Sequence, residues 1–212
     1  MKRKTIDIRS GSKGQSFVEL SLVVLLLMML VAGIAEFGVL LNHYLNILDG
    51  AREAARYGAN YDPFATCSGS VDVDGVCSVY YAGIATEAKD VILPITFNPA
   101  LKDDIVISIF VLANGNFCRY PSGSDNGWSW SEQMMGLATP NHTSERSSAF
   151  IQGQMNPAAP EVSGVLVEVF YNYPQTLKAP FYEQVFPDPV PIYIYTIMPL
   201  KNVNPPSCPC QS

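Results

Sequence analysis

The most constraining feature of this sequence is a 46-residue stretch without proline, from Gly14 to Ala59. Its first part, Leu20 to Ala35, carries no charge, and its second part mixes polar residues with apolar ones at helical spacing. Pro63 is the first helix-breaking residue after it. The pattern predicts one continuous helix over residues 15–60, with an apolar first half and an amphipathic second half.

Apolar side chains in the second half recur every three or four residues, which puts them on one helix face. They are Phe37, Leu40, Leu41, Tyr44, Leu45, Leu48, Ala51, Ala55 and Tyr57. We expect this face to pack on the globular part of the chain.

The first half of the predicted helix is long enough to cross a membrane. Leu20 to Ala35 alone would span about 24 Å, which is slightly less than the thickness of a bilayer core, about 30 Å. A longer segment makes up the difference, so we predict a transmembrane segment at about residues 17–41. Glu19 and Glu36 then lie near the two interfaces, where a charge costs less than at the midplane. The leader, residues 1–14, holds five basic residues and one acid, which predicts a cytoplasmic N-terminus and an extracytoplasmic C-terminal part.

The remainder of the chain is acidic. From Gln15 onward there are 8 basic and 18 acidic residues, so we predict no nucleic-acid partner, because such binding needs basic patches. A low charged fraction of 15% together with 11% aromatic residues argues against disorder.

Five cysteines follow the apolar run, in the compartment where disulfides persist. They are Cys67, Cys77, Cys118, Cys208 and Cys210. A bond between the first two would close a short loop, and Cys118 would pair with either Cys208 or Cys210. Zinc is the competing interpretation, but the Cys-Pro-Cys spacing does not fit a ribbon or finger, and neither histidine lies near a pair.

Three motifs within the proline-free stretch occur in an order and spacing typical of a known family. They are Gly14-Gln-Ser-Phe-Val-Glu-Leu20, Gly33-Ile-Ala-Glu-Phe-Gly38 and Asp49-Gly-Ala-Arg-Glu-Ala-Ala-Arg-Tyr-Gly-Ala59. Together they resemble the TadE family of pilus-assembly pseudopilins, which are relatives of type IV pilins. The resemblance covers the helix only, and it departs from many relatives at Leu25, where they carry proline.

This resemblance implies that a prepilin peptidase cuts after Gly14 and leaves Gln15 as the new N-terminus. It also implies that the helices of several subunits bundle into a filament core. Glu19 inside that bundle needs a cationic partner, and the free amine of a neighbouring subunit's Gln15 can supply it.

Glu19, Glu36 and Glu53 are each 17 residues apart and therefore lie on nearly one helix stripe. One interpretation makes this stripe an assembly contact between helices, with Glu19 and Glu36 as its members. The other leaves Glu36 as a marker of the membrane edge. For Glu53 we favour a local pair with Arg56 or Tyr57 on a solvated face.

Residues 61–212 are predicted to form one extracytoplasmic domain with an exposed insertion at about 121–161. Helical spacing marks Val79–Leu93, and β-rich runs are Asp104–Leu112, Asn116–Tyr120, Val162–Tyr173 and Val190–Met198. The last two are expected to pair antiparallel. The predicted fold class is pilin-like α+β, in which the long helix packs on a small antiparallel sheet.

No motif for catalysis, a cofactor or a metal occurs, so we expect no enzyme, no cofactor and no metal site. Asp72-Val-Asp-Gly75 lacks the further acids of a calcium loop and is predicted to be a turn. His43 lies at the expected membrane edge, and His142 lies in the insertion.

We therefore predict a minor pilin or pseudopilin of a Tad-type pilus that contributes to adhesion or assembly. Its expected partners are other pilin subunits, the prepilin peptidase, the inner-membrane assembly platform and the lipid bilayer. Two alternatives remain open: an uncleaved single-span surface domain that binds a ligand, and a secreted domain released by signal peptidase.

Overall fold

The computed structural model describes residues 12–65, 75–113, 116–122, 127–155, 161–178 and 187–201. Its helices are α1 (Ser12–Asn60), α2 (Ser78–Ile92), α3 (Trp130–Gln133) and α4 (Ser148–Gln154). Its strands are β1 (Asp104–Ala113), β2 (Asn116–Tyr120), β3 (Trp128–Ser129), β4 (Glu161–Tyr173) and β5 (Val190–Pro199). The long helix and the antiparallel sheet confirm the α+β fold class.

Helix α1 is continuous over 49 residues, as the absence of proline predicted. It ends where the Tyr61 amide bonds to the Gly58 carbonyl oxygen at 3.3 Å, just before Pro63. The helix and strand predictions for α2, β1, β2, β4 and β5 are also confirmed, each to within about two residues at either end, which is the usual disagreement over element boundaries.

The sheet is antiparallel throughout and has the order β2-β1-β4-β5. Strand β1 pairs with β4 from Asp104 opposite Phe170 to Ala113 opposite Glu161, and β4 pairs with β5 as expected. Strand β3 was not predicted, and it pairs with β1 on the same edge as β2.

Successive side chains along the central strands point alternately to the two faces of the sheet. One face carries Val165, Val167 and Val169 of β4 and belongs to the main core with α1 and α2. The opposite face carries Leu166, which packs with Phe110 and Ile151 of helix α4. The sheet is therefore covered on both faces, by the long helices on one and by parts of the segment 127–155 on the other.

The buried face of α1 differs from the predicted apolar stripe. Phe37, Leu41, Tyr44 and Leu45 are exposed, whereas Ile47, Ala51, Ala54 and Ala55 are fully buried. The body approaches α1 on its small-residue face because small side chains let another element come close. The prediction was right for Ala51 and Ala55, and also for Leu40, Leu48 and Tyr57, which are partly buried against the main core. It was wrong for the four exposed residues.

Helix α2 packs tightly against two glycines of α1. A Cβ added at Gly50 would overlap Ile92 Cγ1, and one added at Gly58 would lie 2.7 Å from Ile84 Cδ1. The Tyr80 hydroxyl also donates a hydrogen bond of 2.9 Å to the Gly58 carbonyl oxygen. The α1–α2 contact therefore depends on the absence of side chains at these two positions.

The segment expected to be an exposed insertion is partly buried. Asp104, which is fully buried, accepts five hydrogen bonds, four of them from this segment. The donors are the Ser129 hydroxyl, the Ser131 amide and hydroxyl, the His142 amide and the amide of Ile105. These bonds hold Trp130, which is 2% exposed, against the body.

A second buried carboxylate, Glu168 of β4, binds the same segment further along. It accepts hydrogen bonds from the Ser144 hydroxyl, the Glu145 amide at 3.0 Å and the Tyr193 hydroxyl at 2.7 Å. Burial raises the pKa of Glu168, although these bonds and the nearby Arg119 charge act in the opposite direction.

Candidate functional site

The first half of helix α1 is apolar and exposed. Every residue from Gly14 to Val31 is exposed in the structure, including Phe17 at 73% and Leu25 at 66%. Within the described residues, α1 is the one helix that is long and apolar enough to cross a membrane. An apolar surface of this extent marks a site that contacts lipid or another protein.

The residues predicted for processing and assembly lie at the start of this exposed half. Gln15 Nε2 donates a hydrogen bond of 3.1 Å to Glu19 Oε1 across one helix turn. No atom lies within 4 Å of a Cβ built at Gly14. Both the predicted cleavage position and Glu19 are therefore accessible, and their processing and assembly roles stay predictions.

Glu36, by contrast, is bound inside the protein. Its side chain is 8% exposed, and its carboxylate accepts three hydrogen bonds from the end of β4 and the residues after it. The donors are the Tyr173 hydroxyl at 2.9 Å, the Thr176 amide at 2.8 Å and the Leu177 amide at 2.9 Å. We call these four residues the helix clamp, because they join α1 to the segment after β4.

The helix clamp gives Glu36 an intramolecular role that neither interpretation of the sequence included. Because both carboxylate oxygens already accept hydrogen bonds, the structure does not present Glu36 to a neighbouring helix. Helical spacing in the sequence could have indicated this role, because it places Glu36 on the same helix face as Ile47, Ala51 and Ala54, which are buried.

The ring of His43 packs beside the clamp. The His43 ring lies edge-on to Tyr173, with ring centroids 4.9 Å apart, and stacks on Tyr171 at 6.2 Å. Burial raises the pKa of Tyr173, and the hydrogen bond to Glu36 adds to the increase. The phenol therefore keeps its proton at neutral pH and remains a donor to the clamp.

A cavity of about 320 Å³ lies beside the clamp, between α1 and the adjacent ends of β4 and β5. Its lining is mostly apolar: Gly33, Glu36, Phe37, Leu40, Tyr173, Gln175 and Val190. The volume is at the lower end of the range for small-ligand pockets.

Glu53 makes the local pair that the sequence favoured. Arg56 Nε donates a hydrogen bond of 2.8 Å to Glu53 Oε2, and the two side chains form an exposed ion pair three residues apart. The hydrogen bond and the Arg56 charge lower the pKa of Glu53.

Cys77 and Cys118 are buried, and each is disulfide-bonded. Cys67, Cys208, Cys210 and most of the Asp72–Gly75 turn lie outside the described residues, so the predicted pairing is not tested. Within the described ranges, no group of three or more histidine, cysteine, aspartate or glutamate side chains is arranged to hold a metal ion.

Residues 14–56 match the family model described as TadE-like protein. The match covers about a fifth of the 212-residue chain and begins at Gly14, the predicted cleavage position. It confirms the resemblance found in the helix and indicates a protein associated with the Tad pilus. Neither the curated proteins nor the solved structures contain a match to this chain.

Proposed function

We propose that this chain, TadE-like over residues 14–56, is a minor pilin or pseudopilin of a Tad-type pilus. In this proposal a prepilin peptidase removes the leader after Gly14, and the subunit joins the pilus or its assembly machinery through α1. The role is structural, with no catalytic chemistry.

The observation that carries the proposal is the contrast between the two halves of one continuous helix. Residues 14–31 are exposed on all sides, whereas from Glu36 onward α1 is held by the body. A rigid apolar extension of this kind needs partners that remove it from water. Before assembly the bilayer meets that need, and after assembly the helices of other subunits do.

Glu19 supplies the specific contact in this proposal. It lies among exposed apolar residues, and an isolated carboxylate transferred into an apolar bundle is strongly destabilising. The N-terminal amine that cleavage creates on Gln15 of a neighbouring subunit would neutralise it. Because the pair forms only at one axial offset, it would define the register between helices.

The orientation follows from the charges along the chain. The basic leader stays in the cytoplasm, α1 crosses the membrane once, and residues 61–212 lie outside, where they contribute to adhesion or assembly. The inner-membrane assembly platform and the other pilin subunits are the proposed partners.

Release by signal peptidase is the weaker alternative. Signal peptidase cuts after small residues, which makes Gly33 and Ala35 the candidate positions. Both lie in the uninterrupted helix immediately before Glu36. Cleavage there would separate the helix clamp from the turns that precede it.

We also propose that Cys67 pairs with Cys77, and Cys118 with Cys208 or Cys210, which peptide mapping without reduction would identify.

The Glu19→Ala variant tests the assembly role. We expect it to accumulate in the membrane at the normal level but to be absent from sheared pili, because its axial contact is lost. Glu53→Ala is the matched control, since it removes a carboxylate 34 residues further along the same helix, in an exposed local pair. Normal incorporation of Glu19→Ala into pili would rule out the register role.

A further inference from the structure

We propose that the cavity beside the helix clamp binds one acyl chain of a membrane phospholipid. We call this cavity the acyl groove. The inference rests on the proposed membrane insertion of α1 and adds a lipid-binding site to it.

The first argument is position. Along a helix, 17 residues correspond to about 26 Å, so Glu36 lies close to the outer edge of the hydrocarbon core when Glu19 lies at the inner edge. The helical residues of the groove run from Gly33 to Leu40 and therefore straddle this outer edge. The upper part of an acyl chain in the outer leaflet lies at the same depth.

The second argument is the chemistry of the lining. Three polar groups of the groove are already engaged in hydrogen bonds: Glu36 in the clamp, the Tyr173 hydroxyl with Glu36, and the Gln175 amide nitrogen with the Pro187 carbonyl oxygen at 3.1 Å. Phe37, Leu40 and Val190 complete the lining with apolar surface. The groove thus suits an apolar occupant that makes no directional hydrogen bonds.

The third argument is continuity with the lipid-facing surface. Phe37 lines the groove but is 63% exposed, and it follows the exposed apolar residues of α1 along the helix, including Ile34 at 66%. On the other side, Leu177 of the clamp is 48% exposed. A lipid lying along α1 would therefore reach the groove without crossing a polar surface.

The experiment uses the full chain in nanodiscs of phosphatidylethanolamine and phosphatidylglycerol, at one copy per disc. The probe is a phospholipid with a diazirine on the upper part of its acyl chain, and mass spectrometry locates the cross-links. We expect labelling of peptides that contain Tyr173 or Val190, in addition to the labelling of α1 that any membrane span would show. With one copy per disc, a second subunit is excluded as the occupant.

Val190→Trp fills the groove, and Val39→Trp is the matched control, because Val39 is exposed on α1 at the same level but does not line the groove. We expect labelling of the Tyr173 peptide to drop about ten-fold in Val190→Trp, equivalent to about 1.4 kcal/mol of binding free energy, and to persist in Val39→Trp.

Cross-links confined to residues 14–35 of the natural sequence would overturn the proposal, whether or not either variant folds. Equal labelling of the two variants would also overturn it. Carbonate extraction and the mature N-terminus, measured on the same protein, distinguish a failure of the acyl groove from a failure of the proposed membrane insertion and processing. An integral protein that starts at Gln15 but shows no groove labelling contradicts the acyl groove alone, and a protein that carbonate extracts contradicts the membrane insertion as well.

Discussion

The Tyr173 hydroxyl donates a hydrogen bond of 2.9 Å to Glu36 Oε1 and thereby joins two residues that are 137 positions apart in the chain. Glu36 lies where α1 leaves its exposed apolar half, and Tyr173 ends the central strand β4. Together with the Thr176 and Leu177 amides, this bond fixes the sheet to the helix at one level. The helix clamp therefore attaches the globular body to α1 at the point where the proposed membrane span ends.

Glu36→Ala should destabilise the attachment of the body to α1. It removes the acceptor of three hydrogen bonds and leaves two amides and a phenol without it, so we expect a loss of about 2–3 kcal/mol in the free energy of unfolding. Urea denaturation of the full chain in detergent measures the change. Glu53→Ala, which breaks an exposed pair, should lower the free energy of unfolding much less than Glu36→Ala does. Equal losses in the two variants would contradict the clamp.

Gly50→Ala should destabilise the α1–α2 contact by about 1–3 kcal/mol, because the new Cβ overlaps Ile92. Gly38→Ala is the control: no atom lies within 4 Å of its Cβ, and alanine is favoured over glycine in a helix by about 1 kcal/mol. Thermal unfolding should therefore shift in opposite directions in the two variants.

Removing the overlapping side chain should restore part of that loss. The double variant Gly50→Ala/Ile92→Ala should be more stable than the sum of the two single effects predicts, with a coupling of about 1 kcal/mol. Strict additivity would show that Gly50 and Ile92 do not interact as described.

Asp104→Asn should loosen the segment that holds Trp130. An amide cannot accept all five hydrogen bonds that the buried carboxylate accepts, so we expect a loss of about 3 kcal/mol. Hydrogen exchange should become faster at residues 128–142 in particular. The exposed Asp90→Asn change should leave exchange in this segment unaltered, and protection that is unchanged in both variants would argue against the role of Asp104.

Glu168 should make the protein more stable as the pH falls. Burial raises its pKa above the ordinary value of 4.5, so the folded state binds this proton more tightly than the unfolded state does. The resulting contribution to stability is fully present below pH 4.5 and is lost as the pH rises through the raised folded-state pKa.

The comparison with Glu168→Gln isolates this effect, because all other groups titrate alike in both proteins. Between pH 7 and pH 4.5, the stability of the natural protein relative to the variant should increase as the pH falls. Urea midpoints at several pH values give this difference, and a decrease toward low pH would show that the pKa of Glu168 is lowered instead.

Local sequence patterns predicted most of the helices and strands but not how these elements pack together. The length of α1 followed from the absence of proline, and β4 and β5 followed from alternation and β-branched residues. The strand order and the two-residue strand β3 depend on pairings between distant segments, which local patterns do not contain. The role of Glu36 was missed for the same reason, because its partners at Tyr173, Thr176 and Leu177 lie far along the chain.

The buried face of α1 was mispredicted in part because apolar spacing alone was taken as the guide to burial. The large side chains at Phe37, Leu41 and Leu45 face outward, whereas the body packs on Ile47 and on small residues such as Ala51 and Ala54. An exposed face of large apolar residues is what a helix needs when its remaining partners are lipids or other subunits.

The N-terminal residue of the mature protein tests the central claim most directly. Intact mass and N-terminal sequencing of the protein from a membrane fraction that contains the prepilin peptidase should give Gln15 as the first residue, because cleavage after Gly14 is what makes α1 an assembly helix. A mature protein that begins at Met1, or at Ile34 or Glu36, would contradict the account.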